Sequence, residues 1–231
     1  MEILSQHSEL QDKVSNPRYT RLAIWLHWLI AAGIFINLFL GFTMDSLFAN
    51  TRGQVIAIHA SVGLSVLALA MLRLFWRLTN RPPELPSAFP SWERHAATAG
   101  HFLLYVGMIL LPLSGWAILS TNPPANSSGA AAAKSLGVEA HPNDGIEVWG
   151  VIKVPVIGPI NELGRTPEGV RPQKKLHGSL ESLHEMGALL LLALIAVHVL
   201  AALRHQAFGR ISILARMGLP ERRSAVPRNP V

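Results

Sequence analysis

Four stretches of the chain are almost continuously apolar: Leu22 to Phe42, Gln54 to Trp76, Ala99 to Leu119 and Leu180 to Leu203. Each is long enough to cross a hydrocarbon core, which takes about 20 residues. The pattern predicts four transmembrane helices, and hence an all-α integral membrane protein built as a four-transmembrane-helix bundle. The first stretch follows a polar tract, is too long for a signal-peptide core and is not followed by a small-residue cleavage pattern, so it reads as a retained span. Pro112 falls inside the third, where neighbouring helices can satisfy the carbonyl that a proline frees.

Composition supports a membrane reading: half of the 231 residues are hydrophobic and only 15% are charged, unusual for a soluble domain of this length. The charge distribution then suggests an orientation. The segments up to Arg21, from Arg73 to His101 and from Arg204 onward hold 13 Lys+Arg against 6 Asp+Glu, and the rest of the chain holds 7 against 8. Positive residues stay inside, so both termini and the 73–101 linker are expected in the cytoplasm. Residues 44–53 and 120–179 then lie on the outer side. The net charge of +6 is explained by these flanks; nucleic acid is not an expected partner, because the arginines lie beside apolar runs.

In domain terms, residues 1–21 form a cytoplasmic tail, 22–208 the four-helix unit with an outer insertion over 120–178, and 209–231 a second tail. The 73–101 linker, with Arg77, Arg81, Pro82, Pro83, Pro86 and Pro90, reads as a stiff turn. Within the insertion, Asn122 to Ala133 is rich in Pro, Ser and Ala without periodicity and is expected to be a flexible surface stretch. Ile146 to Ile160 (IEVWGVIKVPVIGPI) is apolar but too short to span. It reads as a hairpin or flap over the outer mouth of the bundle, or as a loop packed on it.

Ionisable side chains inside spans are costly and mark functional sites. Here they are mostly histidines: His27, His59, His101, His184 and His198. Cysteine is absent, which excludes Cys-ligated iron–sulfur clusters and covalently attached haem. Neutral imidazole offers one nitrogen to iron while the other is anchored by a hydrogen bond. Depth sorts the histidines into pairs: His27 and His198 lie about one and a half turns from the inner ends of their spans, and His59 and His184 a similar distance from the outer ends. His184 and His198 are separated by roughly 21 Å along one helix, nearly on one face, room for two stacked haems between the helices.

His101 stands near the inner level as a propionate partner, a proton-handling group or an alternative ligand. Arg21 and Arg73, near inner span ends, could pair with haem propionates or serve topology and headgroups. Gly33, Gly41, Gly63, Gly107, Gly115 and Gly187 allow close approach of helices or of a macrocycle. Trp25, Trp28, Trp76, Trp116 and Tyr105 suit an aromatic belt or core packing, or the lining of a haem or quinone pocket. His177 and His205 are expected to face water or headgroups, and His7, His95 and His141 carry no signal.

Four segments together resemble the bacterial cytochrome b561 family: RYTRLAIWLHWLI (18–30), IHASVGLSVLALAMLRLFWRL (58–78), AGHFLLYVGMILLPLSGWAILST (99–121) and LHEMGALLLLALIAVHVLAALRHQAF (183–208). The piece VWGVIKVP (148–155) is similar to a short apolar element of that family, whereas the insertion around 122–141 is less familiar. The resemblance implies a di-haem cytochrome b whose axial histidines are His27 with His198 and His59 with His184. It implies electron transfer between an outer-side donor and a membrane quinone such as ubiquinone, since the family includes a superoxide oxidase. Related cytochromes are b-type anchor subunits of hydrogenases and formate dehydrogenases, an alternative role with a separate dehydrogenase as partner. Bis-histidine ligation closes the iron, favouring outer-sphere electron transfer over oxygen binding. A superoxide donor would be steered by a basic outer funnel, for which Lys153, Arg165, Arg171, Lys174 and Lys175 are the candidates. A non-redox transporter or assembly factor, with histidines binding a metal ion or relaying protons, is the reading from a different class.

Overall fold

Thr20 opens the first helix by accepting a hydrogen bond from the Ala23 amide on its hydroxyl, at 3.3 Å, which satisfies one of the free donors of the first turn. In this computed structural model, which describes residues 19–80, 83, 90–135, 145–208 and 213–219, that helix is α1, Arg21–Thr43. It is followed by α2 (Arg52–Thr79), α3 (Ser91–Leu119) and a short α4 (Ser128–Ser135). A hairpin of β1 (Ile146–Val148) and β2 (Ile152–Val154) comes next, then α5 (Gly158–Glu162), the long α6 (Pro167–Phe208) and α7 (Ile213–Arg216). Most of both tails, Arg81, Pro82, Pro86, His7 and His141 lie outside the described residues.

Among the described residues, the helices α1, α2, α3 and α6 are the four long and apolar enough to cross a membrane. Packing runs α1 on α2, α2 on α3 and α3 on α6. The buried core is small: Ile30, Val62, Val66, Ala70 and Met108, with Ile34, Leu69 and Tyr105 against it. Helix approach is close where a side chain is missing; a Cβ on Gly33 would sit 2.7 Å from Val66 Cγ2. Phe35, Phe39, Phe75, Leu110, Leu190 and Leu200 are exposed on the outside of the bundle, an apolar surface that lipid covers.

The two ends of the bundle differ. At the end where the described residues begin and finish, the terminal end, the Arg216 guanidinium is buried, donates to Pro83 O at 3.0 Å and lies over the Tyr19 ring. Trp28 Nε1 donates to Met217 O at 3.1 Å, so the segment around α7 is tied to the start of α1. Glu93, at the start of α3, faces Arg204 at 3.4 Å and His205 at 3.8 Å from the end of α6. His205 therefore meets a carboxylate.

The opposite, loop end holds more structure than the sequence pattern suggests. The fourth span was expected from Leu180, yet α6 begins at Pro167, with proline at the first helical position, where it suits a helix start. Val170 and Gln173 in this extension are buried. The Gln173 amide donates to Ile160 O at 2.9 Å and Asn161 O at 3.1 Å, and Asn161 donates to Asn122 O at 2.5 Å. The stretch 122–133, expected to be flexible, is instead a packed cap. Gly129 and Ala133 are buried, and a Cβ on Gly129 would overlap Gly164 O at 1.8 Å. Small residues in that stretch are contact residues, which is why the composition misled.

The 146–160 segment does form a hairpin, with Ile146 opposite Val154 and Val148 opposite Ile152. It lies along α2, and no residue of it lines the large cavity at the mouth of the bundle. Its second half crosses the end of α3, where Trp116 Nε1 donates to Pro155 O at 2.9 Å and Ile157 N to Ser120 Oγ at 3.0 Å. Ile146 and Val148 are buried, so the apolar face of β1 packs on the side of the bundle.

Candidate functional site

Five histidines project between the four long helices, and their rings fall into two groups. At the loop end, His59 of α2 and His184 of α6 face each other with ring centroids 6.1 Å apart and planes at 66°. At the terminal end, His27 of α1 and His198 of α6 are 6.3 Å apart with planes at 68°. Both pairs expected from depth are thus brought together. His101 of α3 joins the terminal-end pair, its centroid 5.4 Å from that of His198.

These separations test whether the rings could hold an iron between them. Two metal–nitrogen bonds of about 2 Å, plus roughly 1 Å from each nitrogen to its ring centre, place trans imidazole centroids about 6 Å apart. Both pairs fit. The 5.4 Å between His101 and His198 is shorter.

Tautomers follow from the partners of the second ring nitrogen. Ser114 Oγ lies 2.9 Å from His184 Nδ1 and 2.7 Å from Leu111 O. Because the carbonyl can only accept, the serine donates there and accepts from His184 Nδ1–H, leaving Nε2 with its lone pair. His101 Nδ1 lies 2.7 Å from Ala97 O and must donate to it, so its Nε2 is likewise a free acceptor.

A cavity of about 840 Å³ reaches the loop-end pair. Its lining includes His59 and His184 and none of the other three histidines. Two glycines shape it symmetrically: a Cβ on Gly41 of α1 would lie 3.3 Å from His59 Cε1, and one on Gly115 of α3 would lie 3.3 Å from His184 Cε1. Any larger residue would crowd the ring. Asn37 Oδ1, buried in this lining, has no hydrogen-bond partner among the described residues, and the Asn37 backbone lies within hydrogen-bond reach of the His59 imidazole. Buried polar atoms are normally satisfied, so a cavity bordered by two facing imidazoles and the unpartnered Asn37 Oδ1 is chemically suited to a bound group with a metal centre.

The rim of the cavity carries Asp45, Arg52, Lys174, His177, Glu181 and Glu185. Arg52 is engaged with Asp45 at 2.6 Å. Of the five basic residues expected to form a funnel, only Lys174 lines the cavity. Arg165 is paired with Glu162, whose carboxyl it holds below the usual range, and Lys153 stands opposite Glu147 in the hairpin. The rim is mixed in sign, with Asp45, Glu181 and Glu185 beside Arg52 and Lys174. His177 Nδ1 lies 2.7 Å from the Thr121 hydroxyl, a protein partner where water was expected.

At the terminal end, Arg73 donates from Nη1 to Ala23 O at 2.7 Å and from Nε to the Tyr105 hydroxyl at 3.1 Å. It therefore ties α1, α2 and α3 together around His27, with other guanidinium donors left over. Arg21 is exposed at the first position of α1. Asn37 and Ser114 were missed from sequence: a lone Asn or Ser inside an apolar span has too many neutral uses to stand out.

A family model described as prokaryotic cytochrome b561 matches residues 18–219. The chain belongs to the prokaryotic cytochrome b561 family. It is accordingly a membrane haem protein of electron transfer with b-type haem, as the segment resemblance implied. Among curated relatives, cytochrome b561 homolog 1 of Escherichia coli (strain K12) is 24% identical over 209 residues, covering 89% of this chain and 99% of its own length. Cytochrome b561 homolog 2 of the same organism is 32% identical over 104 residues, 44% of this chain and 55% of the relative. Cytochrome b562 of Cereibacter sphaeroides is 35% identical over 106 residues, 43% of this chain and 65% of the relative. The last two matches thus span less than two thirds of those relatives.

Proposed function

We propose that this cytochrome b561 family member carries two b-type haems per chain, one between His59 and His184 and one between His27 and His198, and passes electrons between a donor at the loop end and a quinone in the membrane. The observation that carries this reading is the pair of ring separations, 6.1 and 6.3 Å, at two depths on the same long helix. Bound there, haem supplies a one-electron couple whose potential the surroundings tune.

The chain's own residues then have definable tasks. Ser114 orients His184, and the glycines at 41 and 115 keep the ring faces open. Arg73 fixes the start of α1 next to His27 and keeps a positive charge at the terminal end, where a carboxylate would be stabilised. His101, its Nδ1 committed to Ala97 O, presents Nε2 beside His198 as an acceptor for a propionate proton or a quinol hydroxyl. Lysine and arginine placement puts the terminal end in the cytoplasm and the loop end outside the inner membrane.

Superoxide is the donor to test first, because the family that the segments resemble includes a superoxide oxidase. The mixed rim means that its approach relies little on steering. The purified chain in vesicles containing ubiquinone should reduce the quinone when superoxide is generated at the loop end. Haem reduction by dithionite without any superoxide-driven quinol would instead move the donor to a separate dehydrogenase docked on the cytochrome.

A further inference from the structure

The tip of the β1–β2 hairpin is a three-residue turn, Trp149–Gly150–Val151, in which Val151 N donates to Val148 O at 3.2 Å. Trp149 (φ 56°) and Gly150 (φ 67°) are both left-handed, as a type I′ turn requires. Glycine adopts this freely, but a bulky residue there is a strained outlier that its surroundings must hold. What holds Trp149 is α2: its amide donates to Ser61 Oγ at 2.9 Å and its indole Nε1 to Ser65 Oγ at 3.1 Å. Ser61 in turn donates to Ala57 O at 2.7 Å, so that hydroxyl is satisfied in both directions.

The depth of these anchors is the decisive point. Ser61 and Ser65 lie nine and thirteen residues beyond Arg52, the first residue of α2, or about 14 and 20 Å at about 1.5 Å per residue. Headgroups at one face occupy only roughly 5–8 Å of a bilayer about 40–45 Å thick. With Arg52 at the outer boundary of the headgroups, the tip hangs below them. At its end Val151 is 84% exposed, Ile152 59% and Trp149 55%, a run of three apolar side chains turned out from the protein. Irregular backbone survives at such depth only when its polar groups are met by protein, and the Trp149 and Val151 amides are. Glu147 and Lys153, the one charged pair on the hairpin, are cross-strand partners, where opposite charges offset each other.

We propose that this hairpin is a re-entrant lipid-binding element: it descends from the loop end into the adjacent leaflet, and Trp149, Val151 and Ile152 contact acyl chains rather than water. It rests on the membrane spans and not on the haem assignment. Because Ser61 is two residues from His59 on α2, the element also braces the helix that carries a loop-end histidine against the lipid.

The absence of native cysteine makes a direct test possible. Val151→Cys and, separately, Ile152→Cys in the otherwise intact chain are labelled with a nitroxide and reconstituted into phosphatidylethanolamine–phosphatidylglycerol vesicles. References are Leu110→Cys, exposed on the side of α3, and Lys134→Cys on α4. Spin relaxation by lipid-soluble oxygen and by an aqueous nickel chelate then reads the depth. The expected result is strong oxygen and weak nickel relaxation at 151 and 152, as at 110, with the reverse at 134. Nickel relaxation at 151 and 152 equal to that at 134 would overturn the proposal. So would protection from both agents, which would mean that a second copy or a partner protein covers the tip.

Discussion

The two ends of the bundle hold the same pair of side chains in different settings. At the loop end the imidazoles of His59 and His184 border a cavity of about 840 Å³, with bare glycine backbone beside each ring and the unpartnered Asn37 Oδ1 nearby. At the terminal end His27 and His198 are joined by His101 and framed by Trp28, Arg73 and Tyr105, with the segment around α7 bonded to Trp28. The ring separations nevertheless agree within 0.2 Å. The loop-end site is shaped by omission of side chains and the terminal-end site by a polar frame, so substitutions should separate them.

The largest separation should come from the histidines themselves. His59→Ala or His184→Ala should reduce bound haem from about two to about one per chain, and His27→Ala or His198→Ala should remove the other. Haem extraction and low-temperature difference spectra would read this, and losing the same spectral component from both sets would break the comparison. Gly115→Val comes next: its branched side chain would start 3.3 Å from the His184 ring and should remove most of the loop-end haem, while Gly115→Ala should be far milder. An equal effect on both haems would contradict a cradle specific to one end.

Arg73→Met deletes hydrogen bonds to Ala23 O and Tyr105 and should cost about 1.5–3 kcal/mol, typical of a charged donor. Thermal loss of the terminal-end spectrum should precede that of the loop-end one. Ser114→Ala leaves the His184 ring without its orienting partner, and haem affinity at the loop end should fall roughly 10–100-fold, measured by transfer to apomyoglobin. The smallest effect should be that of salt. With a mixed rim, the rate of reduction by superoxide should change less than about threefold up to 0.15 M ionic strength, and a steep decline would restore the basic funnel.

How much of this was legible depends on which physics governs each part. The spans were readable because bilayer thickness imposes length and apolarity on every one of them. The histidine pairing was readable because depth along a helix is set by residue count, and His59 and His184 meet although 125 positions separate them. The extension of α6 to Pro167 was not, since its amphiphilic turns resemble a loop until Gln173 meets the carbonyls of Ile160 and Asn161. The same holds for Gly129 and Ala133, whose burial comes from a neighbour distant in sequence. Ser114 and Asn37 matter through what they face, a property no local pattern carries. The hairpin was half visible: its strands follow from IEVWGVIKV, but its place beside α2 rests on two serines far earlier in the chain.

The central claim, that two histidine pairs each hold a haem, is tested most directly by the dithionite-reduced minus oxidised spectrum of the detergent-purified protein, with haem quantified per chain. The account predicts sharp b-type bands and about two haems per chain, as two bis-histidine sites require. A correctly folded protein with a single haem would contradict the pairing, and a colourless one would contradict the function.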